Sequence, residues 1–258
     1  MDLYQHFRKE EHPFIDQVLS WKEQVELVYE KKLSDFLDPR EQDIIRSLIG
    51  TANDTIQLAF EGAHAHAERK RAILAPYYEE PQVEDFQIVV MQAAYPEKFV
   101  QLTHRDAMGA FLSLGIKRKK LGDIVVENGI IQIALAKEIA PYVQANLTSI
   151  KHAKVSFAEV PVTAFVLPEV TWKEADKTVS SLRLDAILAE IYQISRKQAQ
   201  EAIVKGLVKV NYRTVEDSKF ILQADDLLSL RGKGRAKLLA IKGQTKKDKI
   251  RITAARLV

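Results

Sequence analysis

Apolar positions recur at steps of three and four from Phe14 through Val18, Trp21 and Val25 to Val28 and Tyr29, the period of a helix that buries one stripe. A second helix is expected after Asp38-Pro39, with Asp38 as N-cap, Pro39 in the first turn, Ile44, Ile45, Leu48 and Ile49 facing inward, and Gly50 as the stop. Strands follow at about 55–61 and 69–75, the second ended by Pro76. The pattern then alternates. A strand over 86–91 leads to an amphipathic helix over 103–114. Strands over 123–126 and 130–135 flank Asn128-Gly129, a strong hairpin signal. A helix over 136–147, perturbed by Pro141, precedes a last strand over 154–160. The order β-α-β-β-α-β predicts a ferredoxin-like middle domain, the architecture that RNA-recognition sheets share. Residues 161–180, with Pro161, Pro168 and the mixed charges of Lys173-Glu174-Ala175-Asp176-Lys177, read as a linker.

The last third has a different texture. Ser181 is placed to cap a helix to about residue 190 whose inward face is Leu184, Ile187, Leu188 and Ile191. Ser195 caps a second helix ending near Gly206, with Ala199, Ala202 and Ile203 against the first. Arg196 and Lys197 fall in the first turn of that second helix, where backbone N–H groups favour an anion over a cation. An incoming phosphate explains them better than helix stability does. Alternation along Val208-Lys209-Val210 turns Lys209 outward before Asn211-Tyr212. A strand over 227–230 delivers Arg231-Gly232-Lys233-Gly234-Arg235, where glycines let a sugar-phosphate chain approach the backbone. A tight hairpin with incidental charge is the plainer reading of that turn. The stretch Lys246-Lys247-Asp248-Lys249-Ile250-Arg251 either extends the basic surface or guards a strand edge.

Composition sharpens this contrast. The net charge of +3 divides unevenly: residues 171–258 hold 19 Lys and Arg against 10 Asp and Glu, and residues 1–170 hold 19 against 25. A basic module on an acidic body is the footprint of a polyanion binder. No apolar run approaches the ~20 residues that span a bilayer, and the charges in residues 1–11 stand where a signal peptide needs an apolar core. Zero cysteines exclude disulfides and thiolate metal sites and fit a cytoplasmic protein.

Taken in order, Leu182-Arg183-Leu184-Asp185, Ser195-Arg196-Lys197-Gln198-Ala199-Gln200, the run from Lys205-Gly206 to Asn211, Asp225-Asp226 and the 231–235 turn resemble the alpha-L RNA-binding domain. That domain is the S-four type, named after ribosomal protein four of the small subunit. Upstream, Thr103-His104-Arg105-Asp106 and Gly115-Ile116-Lys117-Arg118-Lys119-Lys120-Leu121-Gly122-Asp123, joined to such a module, resemble the YlmH family over nearly the whole chain. The resemblance implies an α+β protein with a helical and mixed part over 1–84, a ferredoxin-like RNA-touching domain over 85–165, a linker over 166–180 and the RNA-binding module over 181–258. It also implies action at the ribosome, on large subunits carrying stalled nascent-chain tRNA.

The expected RNA contacts are Arg183, Arg196, Lys197, Gln200, Lys209, Asn211, Arg213, Arg231, Lys233 and Arg235. A secondary set is His104, Arg105, Lys117, Arg118, Lys119 and Lys120, the last four being either a second phosphate contact or a solvated charge run in a loop. The expected partners are large-subunit rRNA, tRNA and the ribosome, with no DNA, no membrane and no cofactor. His104-Arg105-Asp106 copies a kinase triplet, but Phe111 stands where that motif needs asparagine; Thr103 and Asp106 read instead as a capping box. His64 and His66 share a spacing that could hold a metal, without further ligands nearby. No phosphate loop, dinucleotide fingerprint or nucleophile–base pair occurs. A non-enzymatic RNA binder is therefore expected; an RNA-modifying enzyme with an unrecognised site, or an adaptor for division proteins using the acidic N-terminal helices, are the alternatives.

Overall fold

The computed structural model describes residues 3–50, 55–167, 171–245 and 248–257, and the chain folds as two compact units, 1–168 and 169–258. In the first unit, α1 (His12–Val28) buries Ile15, Val18 and Val25. The buried stripe is turned relative to the expected one: Val28 is exposed, and Tyr29 ends the helix in a left-handed conformation with its ring outside. α2 (Pro39–Ile49) starts as the sequence predicts. The Asp38 carboxylate accepts from Glu41 N–H at 2.9 Å while Asp38 N–H donates back to the Glu41 side chain at 2.7 Å, two otherwise orphaned donors satisfied at once. Both helices cover a small antiparallel sheet of β1 (Lys32–Leu33), β3 (Arg71–Pro76) and β2 (Ile56–Glu61), in that spatial order.

The middle of the first unit is built on β4 (Ile88–Ala94), α3 (His104–Ser113), β5 (Leu121–Glu127), β6 (Ile130–Ala136), α4 (Ala140–Asn146) and β9 (Ala158–Val160). A small hairpin of β7 (Ser149–Ile150) and β8 (Ala153–Lys154), not anticipated from the pattern, comes before β9. The sheet order β5-β6-β4-β9, antiparallel throughout, is the ferredoxin-like arrangement of second, third, first and fourth strands. Asn128 and Gly129 both have positive φ, 51° and 74°, as a two-residue hairpin turn requires. Pro141 lies in the first turn of α4, where its missing N–H costs nothing, so it starts the helix and does not perturb it. Phe86 closes a turn ahead of β4, outside the strand.

The two sides of this middle sheet are both covered. Val89, Met91, Ala93, Ile131, Ile133 and Leu135 pack under α3 and α4 with Ala107, Phe111 and Val143. The opposite side, which alternation gives to Val90, Ala134 and Ala136, packs against Phe36, Ala63 and Phe165. Gly122 makes room for this: a Cβ there would come within 2.7 Å of the Phe36 ring. Buried Gln132 ties the 164–166 segment down, donating to the Ala164 carbonyl at 2.8 Å and accepting from Val166 N–H at 2.6 Å.

In the second unit the segment expected as a linker is a strand. β10 (Trp172–Val179) pairs along its whole length with β15 (Ile250–Leu257), so each strand borrows its order from a partner 71 to 85 residues away. α5 (Leu184–Tyr192) begins after Arg183, and Ser181 does not cap it. α6 (Arg196–Val204) is capped by Ser195, with Gln198 completing the box. The sheet runs β10-β15-β14-β13-β11-β12, where β11 is Val208–Val210, β12 Arg213–Thr214, β13 Leu227–Leu230 and β14 Gly234–Gln244. Leu184, Ile187, Leu188 and Ile191 of α5, with Ala199 and Ile203 of α6, bury against Val208, Val210, Leu228, Leu230, Ala236 and Leu238 of the sheet.

Candidate nucleic-acid interface

Three expected contact residues meet on one carboxylate. Asp185, in the first turn of α5, is fully buried. Arg183 donates to it through Nε and Nη2 at 3.1 and 3.0 Å, Arg196 through the same pair of nitrogens at 3.0 and 3.3 Å, and Gln200 through Nε2 at 2.7 Å. Burial alone would raise this carboxyl; hydrogen bonds from Arg196, Arg183 and Gln200 outweigh it and hold the group at about 2. A buried carboxylate with two bidentate guanidiniums and an amide is a satisfied site, and it fixes the planes of two arginines whose outer faces remain solvent-accessible. Asp185 was not among the expected site residues. A signal existed: positions 185, 188 and 192 follow the helical period, so Asp185 shares the inward face of Leu188 and Tyr192.

Tyr192 closes the other end of α5. Its hydroxyl donates to the Gly234 carbonyl at 2.9 Å, and burial pushes its pKa up to about 12. Arg256 lies 5.1 Å above its ring and donates to the Lys233 carbonyl at 3.4 Å. Both contacts pin the 231–235 turn, so α5 carries an anchor for each basic cluster, seven residues or about 10 Å apart along its axis. Gly232 and Gly234 have φ of 85° and 88° with open space where a Cβ would be, conformations that favour glycine. Nothing in the sequence marked Arg256 for this role.

The remaining expected residues divide. Lys197, Lys209, Arg213, Arg231 and Lys233 are exposed and have no ion-pair partner among the described residues. Register places Lys209, Ser229 and Arg235 in a row across three strands, on the face away from α5 and α6, and the Arg235 guanidinium lies 5.7 Å from the Tyr212 ring. Arg213 pairs with Val210 and so falls on the other face, at the sheet edge. Asn211 is a structural brace: with φ of 47°, its side chain donates to Asp226 at 2.8 Å and accepts from Leu227 N–H at 2.9 Å. Its amide is occupied within the turn instead of being presented outward. Of the 246–251 stretch, residues 246 and 247 lie outside the described residues.

The secondary set is not one patch. His104 and Arg105 open α3, capped by Thr103 and Asp106 as expected, while Lys117 follows its other end, about 15 Å away by helix length. Arg118 turns inward, donating to the Leu121 and Gly122 carbonyls, and burial lowers its pKa to about 10. Lys119 and Lys120 converge on Asp35, and Lys120 also reaches Glu138 at 2.8 Å. Lys119 and Lys120 thus brace the loop after β1 against the middle domain, Arg118 is spent on the first carbonyls of β5, and Lys117 is exposed. The middle sheet itself offers no open face for stacking bases, because Phe36 and Phe165 cover the side that RNA-recognition sheets use. His64 stacks on Phe165 at 5.4 Å and sits 3.6 Å from Asp123, with burial lowering its pKa. No group of three or more potential ligands capable of holding a metal occurs among the described residues.

A helical hairpin laid on an antiparallel sheet, with arginines set in its surface by a buried aspartate, belongs to the RNA-binding modules of the S4 class. Residues 182–228 match the S4 domain family, and residues 81–164 match the family described as "Putative RNA-binding domain in YlmH". Over 255 residues the chain is 46% identical to the ribosome-associated protein quality control protein P2 of Bacillus subtilis strain 168, covering 99% of this chain and 98% of that one. Among solved structures, the cell division protein ylmH from Streptococcus pneumoniae aligns with a TM-score of 0.55 at 30% identity, over 62% of this chain and 97% of that one. The chain belongs to the YlmH family.

Proposed function

We propose that this protein binds structured rRNA, and tRNA held beside it, on the large ribosomal subunit in the cytoplasm, as a non-enzymatic factor in ribosome-associated quality control. The Asp185 cluster carries this reading. A fully buried carboxylate holding Arg183, Arg196 and Gln200 in fixed orientation pre-organises donors for phosphate, which lowers the ordering cost of binding. The name of the Bacillus subtilis relative supports the ribosome as the site of action. A binding role, as against catalysis, is supported by how the most perturbed groups are used: Asp185, Tyr192, Asp106 and Arg118 all serve internal contacts. No described helix is long and apolar enough to cross a membrane.

Co-sedimentation with purified ribosomal subunits over a salt series tests the reading. Wild type should pellet with the large subunit, and Lys197→Glu/Lys233→Glu should lose at least tenfold in affinity with a shallower salt dependence. Equal pelleting with both subunits, or unchanged binding by the variant, would sink it. The Streptococcus pneumoniae relative is named a cell division protein, which favours a second reading, an adaptor among division proteins. A protein partner retained after nuclease treatment, with no ribosome association, would put that reading first.

A further inference from the structure

The first unit is acidic overall, yet its charge is segregated. Residues 98–158 hold nine Lys and Arg against four Asp and Glu, whereas residues 1–97 hold 10 against 19. Between Glu138 and Glu159 the chain contains no carboxylate, a stretch that takes in α4 and the β7–β8 hairpin. The hairpin tip, Lys151-His152, leans on the first turn of α3, where Lys151 Nζ meets Asp106 Oδ2 at 2.7 Å. That pair occupies the one carboxylate carried by α3, α4 or the hairpin. His104, Arg105, Lys151, His152 and Lys154 are left exposed on the same edge of the domain.

A second observation points the same way. Gly109 lies one turn after Arg105 on the exposed side of α3, and a Cβ there would have nothing within 4 Å. Glycine in an exposed helix interior costs about 1 kcal/mol relative to alanine, and no contact within the protein calls for it. What glycine provides is a bare backbone that a ligand chain can approach closely.

We infer that a phosphodiester backbone of RNA lies across this helical edge of the middle domain, with Arg105, Lys151, His152 and Lys154 meeting phosphates and Gly109 admitting the strand against α3. The inference rests on the reading of the protein as an RNA binder and gives the middle domain a contact surface on the side away from its Phe36- and Phe165-covered sheet face.

Filter binding of the full-length protein to purified large-subunit rRNA, across a salt series, tests it. The triple variant Arg105→Gln/Lys151→Gln/Lys154→Gln should bind about tenfold more weakly near physiological salt, with the slope of log affinity against log salt reduced by about two. Gly109→Gln should keep or raise Tm while weakening binding. If both variants bind like wild type while Lys197→Glu/Lys233→Glu is impaired, this surface is not a contact and the RNA reading stands. If all three bind like wild type, the RNA reading itself fails. A Gly109→Gln protein with raised Tm and wild-type affinity would overturn the close approach at α3 even if the triple variant is weakened.

Discussion

Two aspartates in this protein gather basic side chains, and the outcomes differ. Asp185 is fully buried and takes Arg183, Arg196 and Gln200, which reach it from the surface of the helical hairpin. Asp35 keeps a fifth of its side chain exposed and takes Lys119 and Lys120, which join the loop after β1 to the middle domain. In the first cluster two planar guanidiniums are fixed by bidentate hydrogen bonds, leaving their outer faces to a ligand. In the second, flexible ammonium groups are consumed as struts. Basic residues close in sequence, as at 117–120, are mostly taken up by internal contacts; basic residues 13 positions apart, sharing one buried acceptor, form the better-organised cluster.

Removing the shared acceptor should produce the largest contrast. Asp185→Ala leaves two guanidiniums and the Gln200 amide without their shared acceptor, at a cost of about 2–3 kcal/mol, which lowers the Tm of the C-terminal unit by about 10 °C or more; RNA affinity should fall with it. Asp35→Ala should change stability by about 1 kcal/mol, less than Asp185→Ala, since its lysine partners are partly solvated and can turn to water. Equal effects in calorimetry would erase the distinction between the two clusters.

Acid provides the next test. The Asp185 carboxyl is held at about 2, below its ordinary 3.8. A depressed carboxylate stabilises the fold above the unfolded value, and that contribution, about 2 kcal/mol, is lost as pH falls from near 3.8 through 2. The chain has two tryptophans, Trp21 in the first unit and Trp172 in the second. In a Trp21→Phe background, Trp172 fluorescence should therefore report acid destabilisation of the second unit that Asp185→Asn suppresses. An unchanged acid profile in the Asn variant would mean that another group titrates there.

The finest test separates binding from folding. Lys197→Glu should cost a few-fold in RNA affinity with stability unchanged within about 0.5 kcal/mol, because Lys197 is exposed and pairs with nothing described. Arg196→Glu should instead lower Tm as well, since it sets a second carboxylate beside buried Asp185. Identical Tm for both variants would show that Arg196 is not held as the geometry indicates.

Most local signals read directly from the chain survived folding, the expected Ser181 cap being an exception. The Asp38 cap, the Thr103 capping box, the Ser195 cap, the Asn128-Gly129 turn and the glycines of the 231–235 turn depend on neighbours a few residues away, so periodicity and spacing determined them, along with the β-α-β-β-α-β order and the basic character of the last third. What depends on distant partners was decided only in three dimensions. β10 reads as a mixed-charge linker until β15 pairs with it, and Asn211 reads as a hydrogen-bonding contact until Asp226 and Leu227 claim its amide. The middle sheet reads as an open RNA platform until Phe36 and Phe165 close it. Lysine and arginine look alike in a sequence whether they meet water, phosphate or an internal acceptor. Only the fold, by placing Asp185, Asp35 and the Leu121 carbonyl, determined which of them remained available.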